Sequence, residues 1–156
     1  MKEINSTVIV RLVQQADFPA WSTLWEGYNA FYGRSGPTAL PAEITQMTWS
    51  RFFDVYEPMQ AFVAECDGVV VGLAHIIFHR NTTLIAPICY LQDLFTVASV
   101  RGKGIGRALI DAVYDYAKEA GSTRVYWQTH ETNQTAMALY NQVAEKSGFV
   151  VYRKSL

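Results

Sequence analysis

The hydrophobic positions of the chain change period several times, and each change marks an element. Thr7 to Val13 alternates and is rich in β-branched residues, which predicts a strand. Asp17 fits a helix N-cap and Pro19 suits a first helical turn, so a helix is expected from there to about Tyr32. Along it Trp21, Trp25, Tyr28 and Tyr32 recur at i, i+4, i+7 and i+11, on one face. A second helix is expected over 41–55. Gln60 to Glu65 and Val69 to Phe78, joined at Asp67-Gly68, predict a β-hairpin. Ile88 to Val97 reads as a further strand. Ile105, Ala108, Leu109, Ala112, Val113 and Tyr116 form the apolar stripe of a helix reaching about Ala120. A strand over Val125 to Thr129, a helix over Asn133 to Glu145 and a final strand over Phe149 to Arg153 complete the pattern. The order β-α-α-β-β-β-α-β-α-β indicates an α/β chain, with a mixed sheet flanked by helices.

Composition narrows the class. A chain of 156 residues, 50% hydrophobic and 17% charged, is expected to fold as one compact domain over residues 1–156. The loop from Gly33 to Pro41 is too short to divide it. Thirteen basic against fourteen acidic residues leave a net charge of −1, which gives no electrostatic grip on nucleic acid. The N-terminus lacks an apolar signal core, and no run approaches the roughly 20 apolar residues of a membrane span. Cys66 and Cys89 have no metal-type spacing, so reduced thiols in a cytoplasmic protein are expected.

The chemistry concentrates in Arg101-Gly102-Lys103-Gly104-Ile105-Gly106-Arg107, between a strand and an amphipathic helix. Alternate glycines let the backbone approach a ligand closely. The helix that follows offers its unpaired first-turn N–H groups and the positive end of its dipole. With Lys103, Arg101 and Arg107 these make a phosphate or pyrophosphate cradle. A nucleotidase loop would need Gly-Lys-Ser/Thr, which does not occur. A dinucleotide fingerprint would need a small residue at 107 and an acid about 20 residues on, and has neither. The pattern Arg/Gln-x-x-Gly-x-Gly/Ala opening a helix does fit, as Arg101-x-x-Gly104-x-Gly106. A second motif, Asn133-x-x-Ala136-x-x-Leu139-Tyr140, follows after the next strand.

On these two spaced motifs the chain resembles the GNAT superfamily of N-acetyltransferases, densely from about Leu91 to Tyr152. Tyr90-Leu91-Gln92-Asp93-Leu94-Phe95-x-Val97 is similar to the small polyamine acetyltransferases. It is also similar to small fungal enzymes acting on histone, polyamine or amino-acid amines. The resemblance implies a central mixed sheet of six to seven strands flanked by about four helices. It implies that residues 101–107 (Arg101, Gly102, Lys103, Gly104, Ile105, Gly106, Arg107) hold the pyrophosphate of acetyl-coenzyme A. Asn133 and the backbone of Phe95, Thr96 and Val97 would meet its pantetheine arm, one N–H there serving the oxyanion. Tyr140 would lie near the sulfur as general acid, although by periodicity alone it would be a core aromatic beside Leu139 and Val143.

Two departures stand out. The relatives usually carry Glu where this chain has Gln92, which cannot accept a proton from an amine. They also reach Gly four residues after Tyr140, where this chain has Ala144 and delays to Gly148, implying about one extra helical turn. Asp93 is then the candidate base, a binder of a cationic substrate, or a structural acceptor. Strand neighbours point to opposite faces unless a bulge intervenes. Glu26, Glu65, Glu131 or a water chain are alternatives. Tyr28 and Tyr32, with Gln92 and Asp93, are expected to line the acceptor site, and Trp21 to belong to the core. His75 and His79 on one strand stand roughly 13 Å apart at about 3.3 Å per residue, too far to share an ion, so no metal is expected. The implied activity is direct acetyl transfer in a ternary complex to a small-molecule primary amine, such as a polyamine or amino acid. A protein or histone lysine acceptor, or a non-catalytic acyl-coenzyme A-binding module, is the alternative. A homodimer pairing through Val150-Val151-Tyr152 is expected from the family's habit.

Overall fold

The computed structural model describes residues 6–156. The strands are β1 (Val8–Leu12), β2 (Met59–Cys66), β3 (Val69–His79), β4 (Ile88–Thr96) and β5 (Val125–Tyr126). The helices are α1 (Phe18–Phe31), α2 (Ala42–Arg51), α3 (Ile105–Glu119) and α4 (Gln134–Val143), with single 3-10 turns between them. One open sheet runs in the order β1-β2-β3-β4-β5. The first four strands pair antiparallel, and β4 pairs parallel with β5. Asp67 and Gly68, both at positive φ (52° and 82°), close the β2–β3 hairpin as a two-residue turn whose twist suits the flanking strands.

Period-two alternation divides the sheet residues between two cores. Trp21, Leu24 and Trp25 of α1, with Trp49 of α2 and Phe52 just beyond it, pack on Ala61 and Leu73. Leu109, Ile110, Val113 and Ala117 of α3 pack on the opposite face against Phe62, Ala64, Ala74, Ile76 and Leu91. Gly72 lets these layers close up: a Cβ there would stand 3.1 Å from both the Phe95 carbonyl oxygen and Leu109 Cδ1. At the far edge Arg11 ties three elements, donating to Asp17 at 2.7 Å and to Glu65 at 2.6 Å. Among the described residues no helix is long and apolar enough to cross a membrane.

The mixed α/β layout agrees with the sequence pattern, with corrections in its second half. Among the described residues the sheet has five strands rather than six to seven. α2 stops at Arg51, and β5 is only two residues long because Trp127 turns away onto Tyr114 and Tyr140. α4 ends at Val143, without the extra turn, where Ala144 adopts an extended conformation (φ −153°, ψ −175°). Phe149 to Arg153 forms no strand: residues 144–156 are exposed throughout. The segment has the composition of a strand but joins no ladder, and an extended segment without a ladder has nothing to hold it.

Candidate active site

Thr96 leads through a 3-10 turn, Ala98–Val100, into the glycine loop at the start of α3. Gly102 and Gly104 both take positive φ, 79° and 81°, which other residues adopt only with strain. The first α3 hydrogen bond runs from the Ala108 amide to the Gly104 carbonyl at 3.0 Å. The amides of Ile105, Gly106 and Arg107 precede it and have no carbonyl one turn back. Arg101, Gly102, Lys103 and Gly104 are exposed, so the loop presents cationic side chains and free donors at a helix N-terminus. A Cβ on Gly106 would come within 3.4 Å of Leu139 Cδ2, so α3 and α4 meet closely here.

The β3–β4 register slips between His75 and Ile76: His75 faces Asp93, yet Ile76 faces Leu91. Gln92 is therefore the extra residue of a β-bulge and is exposed. The bulge resets the alternation, so that Leu91 joins the α3 core while Asp93, 8% exposed, turns toward α1. Val97 donates its amide to the Val71 carbonyl at 2.9 Å, so that N–H is not free for an oxyanion. By antiparallel alternation the peptide groups of Phe95 also face β3, and those of Leu94 and Thr96 face away from it. Pairing of β4 with β5 covers only Cys89 with Val125 and Tyr90 with Tyr126. Beyond that point pairing stops, and a cleft separates residues 91–94 of β4 from residues 127–129.

Tyr28, Tyr32, Leu94, Gln92, Gln128 and Tyr140 line a small cleft there, about 40 Å³ in volume. Burial, reinforced by Tyr32, raises the Tyr140 hydroxyl above the ordinary tyrosine range, and the ring stands edge-on to Trp127 with centroids 5.3 Å apart. Tyr28 is buried, with Tyr32 half exposed against it. Asn133 caps α4, its side-chain oxygen accepting from the Ala136 amide at 3.4 Å. A wider cleft of about 650 Å³ lies between α1 and residues 34–46 and includes Glu26, but neither the glycine loop nor Asp93 nor Tyr140 lines it. Glu65 is committed to Arg11. Glu131 stands in the turn before α4, where its carbonyl accepts from Gln134.

The pattern of the sequence did not foretell the partner of Asp93. His75 is 1% exposed and sits at the centre of a buried chain. Trp21 Nε1 lies 2.9 Å from His75 Nε2, and His75 Nδ1 lies 2.9 Å from Asp93 Oδ2. The indole N–H only donates, so Nε2 accepts; the imidazole proton is then on Nδ1, donated to the carboxylate. The Tyr28 hydroxyl is raised by burial first and then by the adjacent Asp93 charge. His79 is exposed and bonded to Tyr126, apart from this chain. Among the described residues no group of three potential metal ligands occurs. Cys89 is a buried free thiol pushed up to about 12 by desolvation, and Cys66 is also free.

A model of the acetyltransferase (GNAT) family matches residues 21–144, and the chain belongs to that family of N-acetyltransferases. It is similar to the D-amino-acid N-acetyltransferase HPA3 of Saccharomyces cerevisiae, 34% identical over 157 residues that cover 99% of this chain and 94% of the relative. It is also similar to the uncharacterized N-acetyltransferase YjgM of Escherichia coli, at 30% identity over 89% of this chain and 81% of that one. In fold it matches the aminoglycoside acetyltransferase AAC(6')-Iy bound to a bisubstrate analogue, with a TM-score of 0.82 at 18% identity, over 97% of this chain and 99% of that one. The same enzyme in complex with CoA gives a TM-score of 0.81, also at 18% identity, over 99% of each chain.

Proposed function

We propose that the protein transfers an acetyl group from acetyl-coenzyme A directly to the primary amine of a small molecule. One observation carries this reading: the glycine loop opens a helix just after β4, the strand that carries the buried Asp93, and the half-buried Tyr140 faces that strand across the cleft beyond β5. The loop suits a pyrophosphate, because Gly102 and Gly104 carry no Cβ beside the free amides. Arg101, Lys103 and Arg107 would neutralise its charge. The peptide groups of Leu94 and Thr96, rather than those of Phe95 and Val97, would pair with the pantetheine arm, since Val97 is already bonded to Val71. Asn133, at the start of α4, would contact the same arm.

Acetyl-coenzyme A, when bound, supplies an acyl thioester already activated toward amines. Tyr140 keeps its proton past neutral pH, which supports it as the donor to the leaving sulfur. Asp93 attracts the acceptor as a cation and takes the proton that an ammonium must lose, its pKa being about 10. Tyr28 and Tyr32 frame the acceptor. The D-amino-acid enzyme is a relative matched over nearly its whole length with a stated substrate, which supports an amino acid or similar small amine here. We place the enzyme in the cytoplasm, as a homodimer joined through its exposed C-terminal segment.

The test is thiol release from acetyl-coenzyme A against D- and L-amino acids, spermidine, an aminoglycoside and a lysine-rich peptide. Release dependent on a small amine is the expected result. Release with the peptide alone would overturn the small-molecule assignment. Acetyl-coenzyme A binding without release on any amine would overturn the catalytic reading.

A further inference from the structure

The Trp21–His75–Asp93 chain is costly if it serves packing alone. The His75 ring lies among Trp21, Trp25 and Phe52, with centroids 5.8, 5.1 and 4.8 Å away. A pocket so apolar favours an apolar side chain, and a carboxylate beside it is tolerated only when hydrogen-bonded. Asp93 Oδ2 accepts from His75 Nδ1, and the Tyr28 hydroxyl reaches the same carboxylate closely enough to be raised by it. The donor is a neutral imidazole held in one tautomer by Trp21, not a cation. A cation at this position would make the carboxylate a weaker base. No lysine or arginine pairs with Asp93 among the described residues. The groups that face it are His75 from β3 and Tyr28 from α1, with Tyr90 on its own strand within reach of its charge. Arg34 lies over the Tyr28 and Tyr32 rings, 5.9 and 5.5 Å from their centroids.

We propose that His75 and Trp21 are positioning residues that reserve Asp93 Oδ1 as the proton acceptor for the incoming amine, with the Tyr28 hydroxyl as relay. The inference rests on the reading of the chain as an amine acetyltransferase. One proton passes from the ammonium nitrogen to Tyr28 Oη as the hydroxyl proton of Tyr28 passes to Asp93 Oδ1. The nitrogen gains a free lone pair, Tyr28 ends as it began, and Asp93 ends neutral. Because Oδ2 is occupied by His75 Nδ1–H, the proton goes to the oxygen on the relay. It returns by the same path to solvent once the neutral amide has left. This arrangement also gives a role to the bulge at Gln92, which turns Asp93 onto the face that His75 and Tyr28 share.

The test compares His75→Phe, His75→Gln and Trp21→Phe for amine-dependent thiol release, acetyl-coenzyme A affinity and pH profile. His75→Phe should lower kcat/KM for a high-pKa amine on the order of 10- to 100-fold, with acetyl-coenzyme A affinity changed less than about 3-fold. The deficit should shrink toward about pH 9, and with a weakly basic acceptor that is already unprotonated at neutrality. His75→Gln can accept from Trp21 and donate to Asp93, so it should restore most of the rate. A role in packing alone would produce neither the dependence on acceptor basicity nor the glutamine rescue. If His75→Phe fails to fold, Trp21→Phe, which frees the tautomer, and His75→Gln carry the comparison. An equal deficit for strongly and weakly basic acceptors, or unaltered rates in folded variants of an active wild type, would overturn the relay alone. No amine-dependent release by the wild type would overturn the acetyltransferase reading beneath it.

Discussion

Tyr140 owes its position to the spacing of a single helix and its chemistry to what surrounds it. Desolvation opposes the phenolate, so the hydroxyl remains a donor above the ordinary tyrosine pKa of about 10. Its loss should therefore appear in turnover rather than in cosubstrate affinity. Tyr140→Phe is expected to lower kcat about 10- to 100-fold while calorimetry finds acetyl-coenzyme A affinity nearly unchanged. Full turnover in that variant would remove the acid role. The glycine loop and Tyr140 were legible because each lies within a short contiguous motif. His75 was not: its partners are 54 and 18 residues away, and nothing in the local period of β3 distinguishes a bonded histidine from a packed one. Tyr28 fell between these cases. Its place on the aromatic face of α1 was readable, but its adjacency to Asp93 required the fold.

The first four strands and the helices α1 and α3 follow the hydrophobic periods, because their buried faces repeat over several residues. The bulge at Gln92 left no such trace, since one inserted residue in a half-buried strand looks like ordinary alternation. The same limit applies to Phe149–Arg153, whose strand-like composition says nothing about whether an edge is available to receive it. One tie between elements makes a prediction about pH. Arg11 joins β1 to the start of α1 and to β2, and its hydrogen bond to Asp17 is the main cause that lowers the Asp17 pKa. A depressed carboxyl pKa contributes stability above the ordinary aspartate value of about 4, and that stability is lost as pH falls through the folded-state value. Arg11→Met should thus cost about 1 kcal/mol, or about 2–4 °C in Tm, at neutral pH. Thermal melts should show this difference narrowing as the pH drops below about 4. A difference independent of pH would mean that Arg11 acts by packing alone.

At the scale of the whole molecule the C-terminal segment is conspicuous: Phe149, Val150, Val151 and Tyr152 are all exposed, and β5 presents an outer edge. An apolar strand-forming segment and a sheet edge on one chain are the components of pairing between two copies. Light scattering at micromolar concentration should report a dimer for the full chain and a monomer after removal of residues 149–156. A monomeric full chain would remove the proposal. The sheet itself is unevenly joined. β2, β3 and β4 follow one another and share long ladders, whereas β5 returns after the α3 crossover to hold two residues of β4. Amide hydrogens in β2 and β3 should therefore exchange with solvent through global unfolding, and those of β5 through a partial opening that spares the rest. Any molecule bridging β4 and β5 would raise the free energy of that opening, so occupancy of the site would be readable as slowed exchange in the last third of the chain.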